Sequence, residues 1–211
     1  GDDTISAGAG NDQLKGEDGN DQLFGGMGND FVDAGAGDDY VYDSGGAETI
    51  LAGAGNDRVL AGDGGDLVLG GTGDDSIQGD GGNDTLSGDD GTDSLYGGTG
   101  NDSLTGGAGA DRIEGGDDAD TIVGGAGDTV FGGEGGTDSD TLILNFADLQ
   151  SVTFGGGDNE SGTVTFIGGG TLTFSGIEQL RSTGAIEGTA GSDVIGAGYI
   201  DAEGDQIDGT D

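Results

Sequence analysis

Fourteen acidic side chains recur at nine-residue intervals: Asp3, Asp12, Asp21, Asp30, Asp39, Glu48, Asp57, Asp66, Asp75, Asp84, Asp93, Asp102, Asp111 and Asp120. Carboxylates in strict register, with no His and no Cys beside them, are ligands for hard cations. The same absences remove a Ser-His-Asp triad, a thiol nucleophile, disulfides, haem and an ordinary zinc site. The chain has 211 residues, of which 43 are acidic and 4 are Lys or Arg, so its formal net charge is -39. A field of that sign repels nucleic acid and anionic membranes. No apolar stretch approaches the roughly 18 residues of a spanning helix, so no membrane-spanning segment is expected.

Composition alone reads as disorder, because 55 residues are Gly and only 30% are hydrophobic. The nine-residue period reverses that reading. Two residues after each acid stands an aliphatic, from Ile5 and Leu14 through Ile113 and Ile122, at all fourteen steps. Four residues before each aliphatic is a Gly in thirteen cases, with Asp118 as the exception. Only three residues per unit, such as Ser103-Leu104-Thr105, suit a strand, and alternation turns the middle one inward. The six before them supply the tight, glycine-rich reversal. Two units therefore make one eighteen-residue coil, and the expected fold is all-β: a parallel β-roll, a solenoid with odd-ranked units in one sheet and even-ranked units in the other.

The unit Gly-Gly-x-Gly-x-Asp-x-aliphatic-x, matched at every fixed position by Gly97-Gly98-Thr99-Gly100-Asn101-Asp102-Ser103-Leu104-Thr105, resembles the repeats-in-toxin (RTX, haemolysin-type) nonapeptide. The resemblance spans residues 1 to 125 in unbroken register. It implies a secreted bacterial protein, exported unfolded by a one-step transporter and folded outside the cell by calcium.

Stacking independently places the acids in two ladders, Asp3, Asp21, Asp39, Asp57, Asp75, Asp93 and Asp111 on one edge and Asp12, Asp30, Glu48, Asp66, Asp84, Asp102 and Asp120 on the other. Empty ladders repel. A Ca²⁺ between successive rungs takes a carboxylate from each and completes its six or more oxygens from loop carbonyls. One ion per gap gives about twelve ions. Mg²⁺ suits the ladders poorly, because it demands a stricter octahedron and keeps its waters. One aliphatic per nine residues, at about 1.5–3 kcal/mol each, does not offset backbone ordering at about 1–2 kcal/mol per residue. The ions are expected to close that gap.

Register fails in places. The unit Asp43-Ser44-Gly45-Gly46-Ala47-Glu48 lacks its leading glycines and carries the longer Glu, so its site is expected to be the weakest. Residues 1–140 form the calcium-binding array. Residues 141–187, where runs such as Thr141-Leu142-Ile143-Leu144 read as longer strands, form a β-rich cap or an inserted binding module. Residues 188–211, with Asp193 as a further ligand, start a second, truncated array.

Outward apolar residues Phe24, Phe31, Tyr40, Tyr42, Leu51, Leu60, Leu67 and Leu69 mark either a contact surface or packing against a remainder of the parent polypeptide. The hydroxyls Thr85, Ser87, Ser103, Thr105 and Thr121 form a short ladder, which leaves a cell-surface or glycan contact open. Every close carboxylate pair is claimed by a calcium site, so no catalysis is expected here. The expected role is a secreted calcium-binding scaffold that aids structure, secretion or adhesion. The alternative is the accessory module of a secreted enzyme, whether protease, lipase or polysaccharide-modifying.

Overall fold

The computed structural model describes residues 1–133, 139–145, 148–154 and 160–183. The second array and Asp193 lie outside the described residues.

Two sheets face each other. The first runs β1 (Thr4–Ala9), β3 (Gln22–Met27), β5 (Tyr40–Tyr42), β8 (Arg58–Gly64), β10 (Ser76–Gly81), β12 (Ser94–Thr99), β14 (Arg112–Asp117) and β16 (Thr129–Phe131). It continues through β20 (Thr171–Ser175), β19 (Gly162–Phe166) and β18 (Leu149–Phe154), while the short β6 (Gly45–Gly46) pairs with β3 and β8. The second runs β2 (Gln13–Asp18), β4 (Phe31–Ala36), β7 (Thr49–Ala54), β9 (Leu67–Thr72), β11 (Thr85–Asp90), β13 (Ser103–Ala108), β15 (Thr121–Val123), β17 (Thr141–Asn145) and β21 (Gln179–Thr183). The chain is an all-β parallel roll whose strands, apart from β6 and the run β18–β20, alternate between sheets, so neighbours within a sheet are one coil apart. No helix among the described residues is long and apolar enough to cross a membrane.

The register stacks the repeat on itself. Leu23 pairs with Val41, Val41 with Val59 and Ile77 with Leu95; opposite them Leu14 pairs with Val32 and Leu86 with Leu104. From Leu14 to Ile122 these aliphatics are at most 3% exposed and form one continuous core between the sheets. Ile5, on the first rung, is only half-buried.

Most strands of the array run past the aliphatic into the glycines of the next unit, as β10 does from Ser76 to Gly81, whereas β5, β15 and β16 stop one residue after it. Glycine is needed there for a local reason. Gly71 has φ +110° and a Cβ on it would run into the carbonyl oxygen of Gly53, one coil below. Gly98 repeats the geometry against the carbonyl of Asp80.

Beyond residue 125 the period is lost but the stacking continues. Val130 pairs with Phe174, and Leu142 pairs with Ile122 and with Leu180, all in parallel register. Strands β18, β19 and β20 form an antiparallel meander at that end, where Phe154 packs edge-on against Phe174 at 6.1 Å between ring centres.

Candidate metal centre

The acids stand where one sheet hands the chain to the other, Asp30 between β3 and β4 and Asp39 between β4 and β5. From Asp21 to Asp120 every column acid, Glu48 included, is at most 3% exposed. Asp3 is exposed and Asp12 half-buried, both at the first coil. Their carboxylates do stack: the two oxygens of each Asp play different parts.

One oxygen is tied to the backbone. The Asp66 N–H donates to Asp84 Oδ1 at 2.8 Å, the Asp84 N–H to Asp102 Oδ1 at 2.8 Å, and the Asp39 N–H to Asp57 Oδ1 at 2.8 Å. From Asp21 to Asp120 each column Asp so receives the main-chain donor of the acid one coil before it. The residue just before the column acid works in the opposite direction. Asn56 Oδ1 accepts from the Asp74 N–H at 2.8 Å, and Asn83 Oδ1 from the Asn101 N–H at 2.9 Å. The pair therefore staples its coil to both neighbours.

The other oxygen is left over. Oδ2 of Asp57, Asp66, Asp75, Asp84, Asp93, Asp102 and Asp111 is buried and accepts no hydrogen bond. Burial raises the carboxyl pKa of Asp84, Asp93 and Asp102 to about 6 and that of Asp57 to about 7, in each case against the pull of the backbone N–H. Charges of the neighbouring rungs push the same way: Asp66 on Asp84, Asp111 and Asp75 on Asp93. A buried carboxylate without donor or counter-ion is costly.

For Asp75, Asp84, Asp93, Asp102 and Asp111 the orphaned oxygen faces a space left open by the glycine five residues earlier, whereas Ala52 and Ala61 hold that position before Asp57 and Asp66. A Cβ on Gly88 would run into Asp93 Oδ2 and lie 2.6 Å from the carbonyl oxygen of Gly106; a Cβ on Gly97 would run into Asp102 Oδ2 and lie 2.5 Å from that of Gly115. Carboxylate and main-chain oxygens thus converge on one small space, the donor set a hard divalent cation takes. Among the described residues no three acidic side chains gather into a cluster, so carbonyls must make up the balance of any shell. The residues present fit calcium.

Glu48 departs from the pattern. Neither of its oxygens accepts a hydrogen bond, and the Asp30 N–H lies near enough to favour its charge slightly without reaching hydrogen-bond geometry. Burial, then the adjacent Asp66 and Asp43 carboxylates, push it up to about 8.

Three residues of this system escape a search by period. Asp128 Oδ1 accepts from the Asp111 N–H at 3.0 Å, Asp140 Oδ1 from the Asp120 N–H at 2.8 Å, and both acids are at most 2% exposed. The usable signal was an acid two residues before Val130 and Leu142, which survives the broken spacing. The third, Asp43, is 1% exposed and belongs to neither column.

The outward apolar residues divide between two faces. Phe24, Tyr40, Tyr42 and Leu60 stand on the first sheet, where Phe24 meets Tyr40 at 6.1 Å and Arg58 lies over Tyr40 at 5.7 Å. Phe31, Leu51, Leu67 and Leu69 stand on the second. Thr85, Ser103 and Thr121 are in lateral register there, as are Ser87 and Thr105.

The family model for the RTX calcium-binding nonapeptide repeat matches the chain in four copies, over residues 1–32, 27–59, 60–95 and 96–131. No curated protein matches it.

Proposed function

Since the chain belongs to the RTX calcium-binding nonapeptide repeat family, we propose that it is a calcium-driven folding module, coil without the ion and roll with it. The observation that carries this reading is the column of buried Oδ2 atoms that accept no hydrogen bond, those of Asp21, Asp30, Asp75, Asp84, Asp93, Asp102 and Asp111 each beside a glycine that leaves the space open. The ions neutralise charge that otherwise opposes the fold. The column acids from Asp3 to Asp120 are the proposed ligands, with Asp128 and Asp140 extending the two ladders and Asp193 assigned by sequence alone. One ion per gap between the fourteen periodic acids gives about twelve, removing some 24 of the formal negative charges. Residues 1–140 are the calcium-binding array and 141–187 its cap.

RTX repeats are typical of secreted bacterial proteins, which supports a role outside the cell as a scaffold for structure, secretion or adhesion. Affinity in the range of extracellular modules, about 10⁻⁴–10⁻³ M, matches that setting. The roll is a structural binding module, not itself catalytic; service beside the catalytic domain of a secreted enzyme is the second reading, favoured by the family alone. Circular dichroism in EDTA and then in millimolar Ca²⁺ is expected to show coil converting to β-structure. An equal β-signal in both overturns the switch.

A further inference from the structure

Position 43 is where the array breaks its own rule most sharply. The residue five before each column acid belongs to an inward-facing position, and from Ala7 to Gly115 it is Ala or Gly at every step except Asp43. A carboxylate thus replaces a residue with almost no side chain, in the interior, at 1% exposure.

Its surroundings are specific. Asp43 Oδ1 accepts from the Ser44 N–H at 2.6 Å and the Gly45 N–H at 3.2 Å, which fixes the side chain on its own loop. Oδ2 accepts no hydrogen bond, and neither does Asp30 Oδ2. Both point at Gly25: a Cβ there would run into Asp43 Oδ2 and lie 2.6 Å from Asp30 Oδ2. In the regular coils the corresponding space holds one carboxylate oxygen and one main-chain carbonyl, as at Gly88 with Asp93 Oδ2 and Gly106 O. At Gly25 both are carboxylates.

We propose that Asp43 is a cation ligand outside the nonapeptide consensus, its Oδ2 joining Asp30 Oδ2 to hold one Ca²⁺ beside Gly25 where a main-chain carbonyl serves the other coils. The inference rests on the calcium reading above. It inverts the ranking drawn from sequence, in which this unit has the weakest site, because calcium affinity rises with the charge of the ligand set. The missing glycines and the added carboxylate are then one change: the loop that gives up the consensus backbone supplies a charged oxygen in its place.

Two variants of the whole chain test this by calorimetric titration with Ca²⁺ and by the calcium midpoint of the β-signal. Asp43→Asn keeps the acceptor for Ser44 and Gly45 and removes the charge. Asp43→Gly installs the consensus residue, so it cannot fail for want of fit. Asp43→Asn is expected to bind one ion fewer, Asp43→Gly to keep the ion on a main-chain carbonyl as the regular coils do, and both to need at least threefold more calcium at the midpoint. An unchanged count or midpoint in Asp43→Asn overturns the proposal, because a carboxyl pair that merely shares a proton tolerates the amide. A lower midpoint in Asp43→Gly also overturns it, marking Asp43 as a defect. A parent chain with no calcium-dependent transition instead defeats the underlying reading and is seen before either variant is made.

Discussion

A single column Asp does two jobs with two oxygens, and this makes its removal worse than the loss of one ligand. Asp84→Ala withdraws the acceptor for the Asp66 N–H and the Oδ2 beside Gly79 together. Leaving that buried N–H unsatisfied costs about 1–3 kcal/mol even before calcium is counted. The calcium midpoint of folding is expected to rise severalfold. Glu48→Asp should act in the opposite direction, since a shorter side chain can take the Asp30 N–H that Glu48 misses, a gain of about 1 kcal/mol. Paired midpoint titrations of the two variants check this; if both titrate like the parent, the column is not the ligand set.

The strand-to-loop element is held by where glycine's missing Cβ leaves room for the coil below. Gly71→Ala is expected to destabilise the calcium-loaded roll by more than about 1 kcal/mol, because it combines φ +110° with contact against the carbonyl of Gly53. Among the described residues four that are not glycine also hold positive φ: Glu17, Asp80, Asp89 and Asp118, at 69° to 78°. An L-residue there costs roughly 1–2 kcal/mol, and Asp pays less than most because its short polar side chain bonds locally, as Asp89 Oδ1 does with the Ser87 hydroxyl at 2.7 Å. Asp80→Gly should therefore leave stability unchanged or raise it, while removing one charge. Chemical unfolding at fixed calcium separates the two outcomes; a Gly71→Ala protein as stable as its parent would contradict the close approach.

At the scale of the whole molecule, proton and calcium compete for the same buried oxygens. Folding raises the pKa of Asp57 to about 7, of Asp84, Asp93 and Asp102 to about 6, and of Glu48 to about 8, against unfolded values near 4. The folded state thus binds more protons between about pH 4 and pH 8, and its calcium-free stability is greatest at the acid end of that window and falls as pH rises through it. In EDTA the β-signal is expected to grow on acidification from pH 8 to about pH 4.5. In calcium the dependence reverses, and the midpoint concentration should fall as pH rises, since ions bind the deprotonated form. A calcium-free chain that loses β-signal on acidification would show that burial does not govern these carboxylates.

The roll was legible in the period of acids, aliphatics and glycines: each nine-residue unit supplies one strand with one inward side chain and one reversal, so two units close a coil and like residues stack one coil apart. The acid columns followed from the same register. Contacts made across sequence offsets that no period marks emerge only in the folded chain. Thr129 pairs with Thr173 and Thr141 with Gln179, so Val130, Phe174, Leu142 and Leu180 continue a core that was legible only to residue 125. The division of labour between Oδ1 and Oδ2 was equally hidden, since it depends on which oxygen meets the N–H one coil away. Asp43 looked like a lost glycine for that reason: its value as an oxygen donor arises from Gly25 and Asp30, which lie in the coil before it and become its neighbours only when the sheet forms.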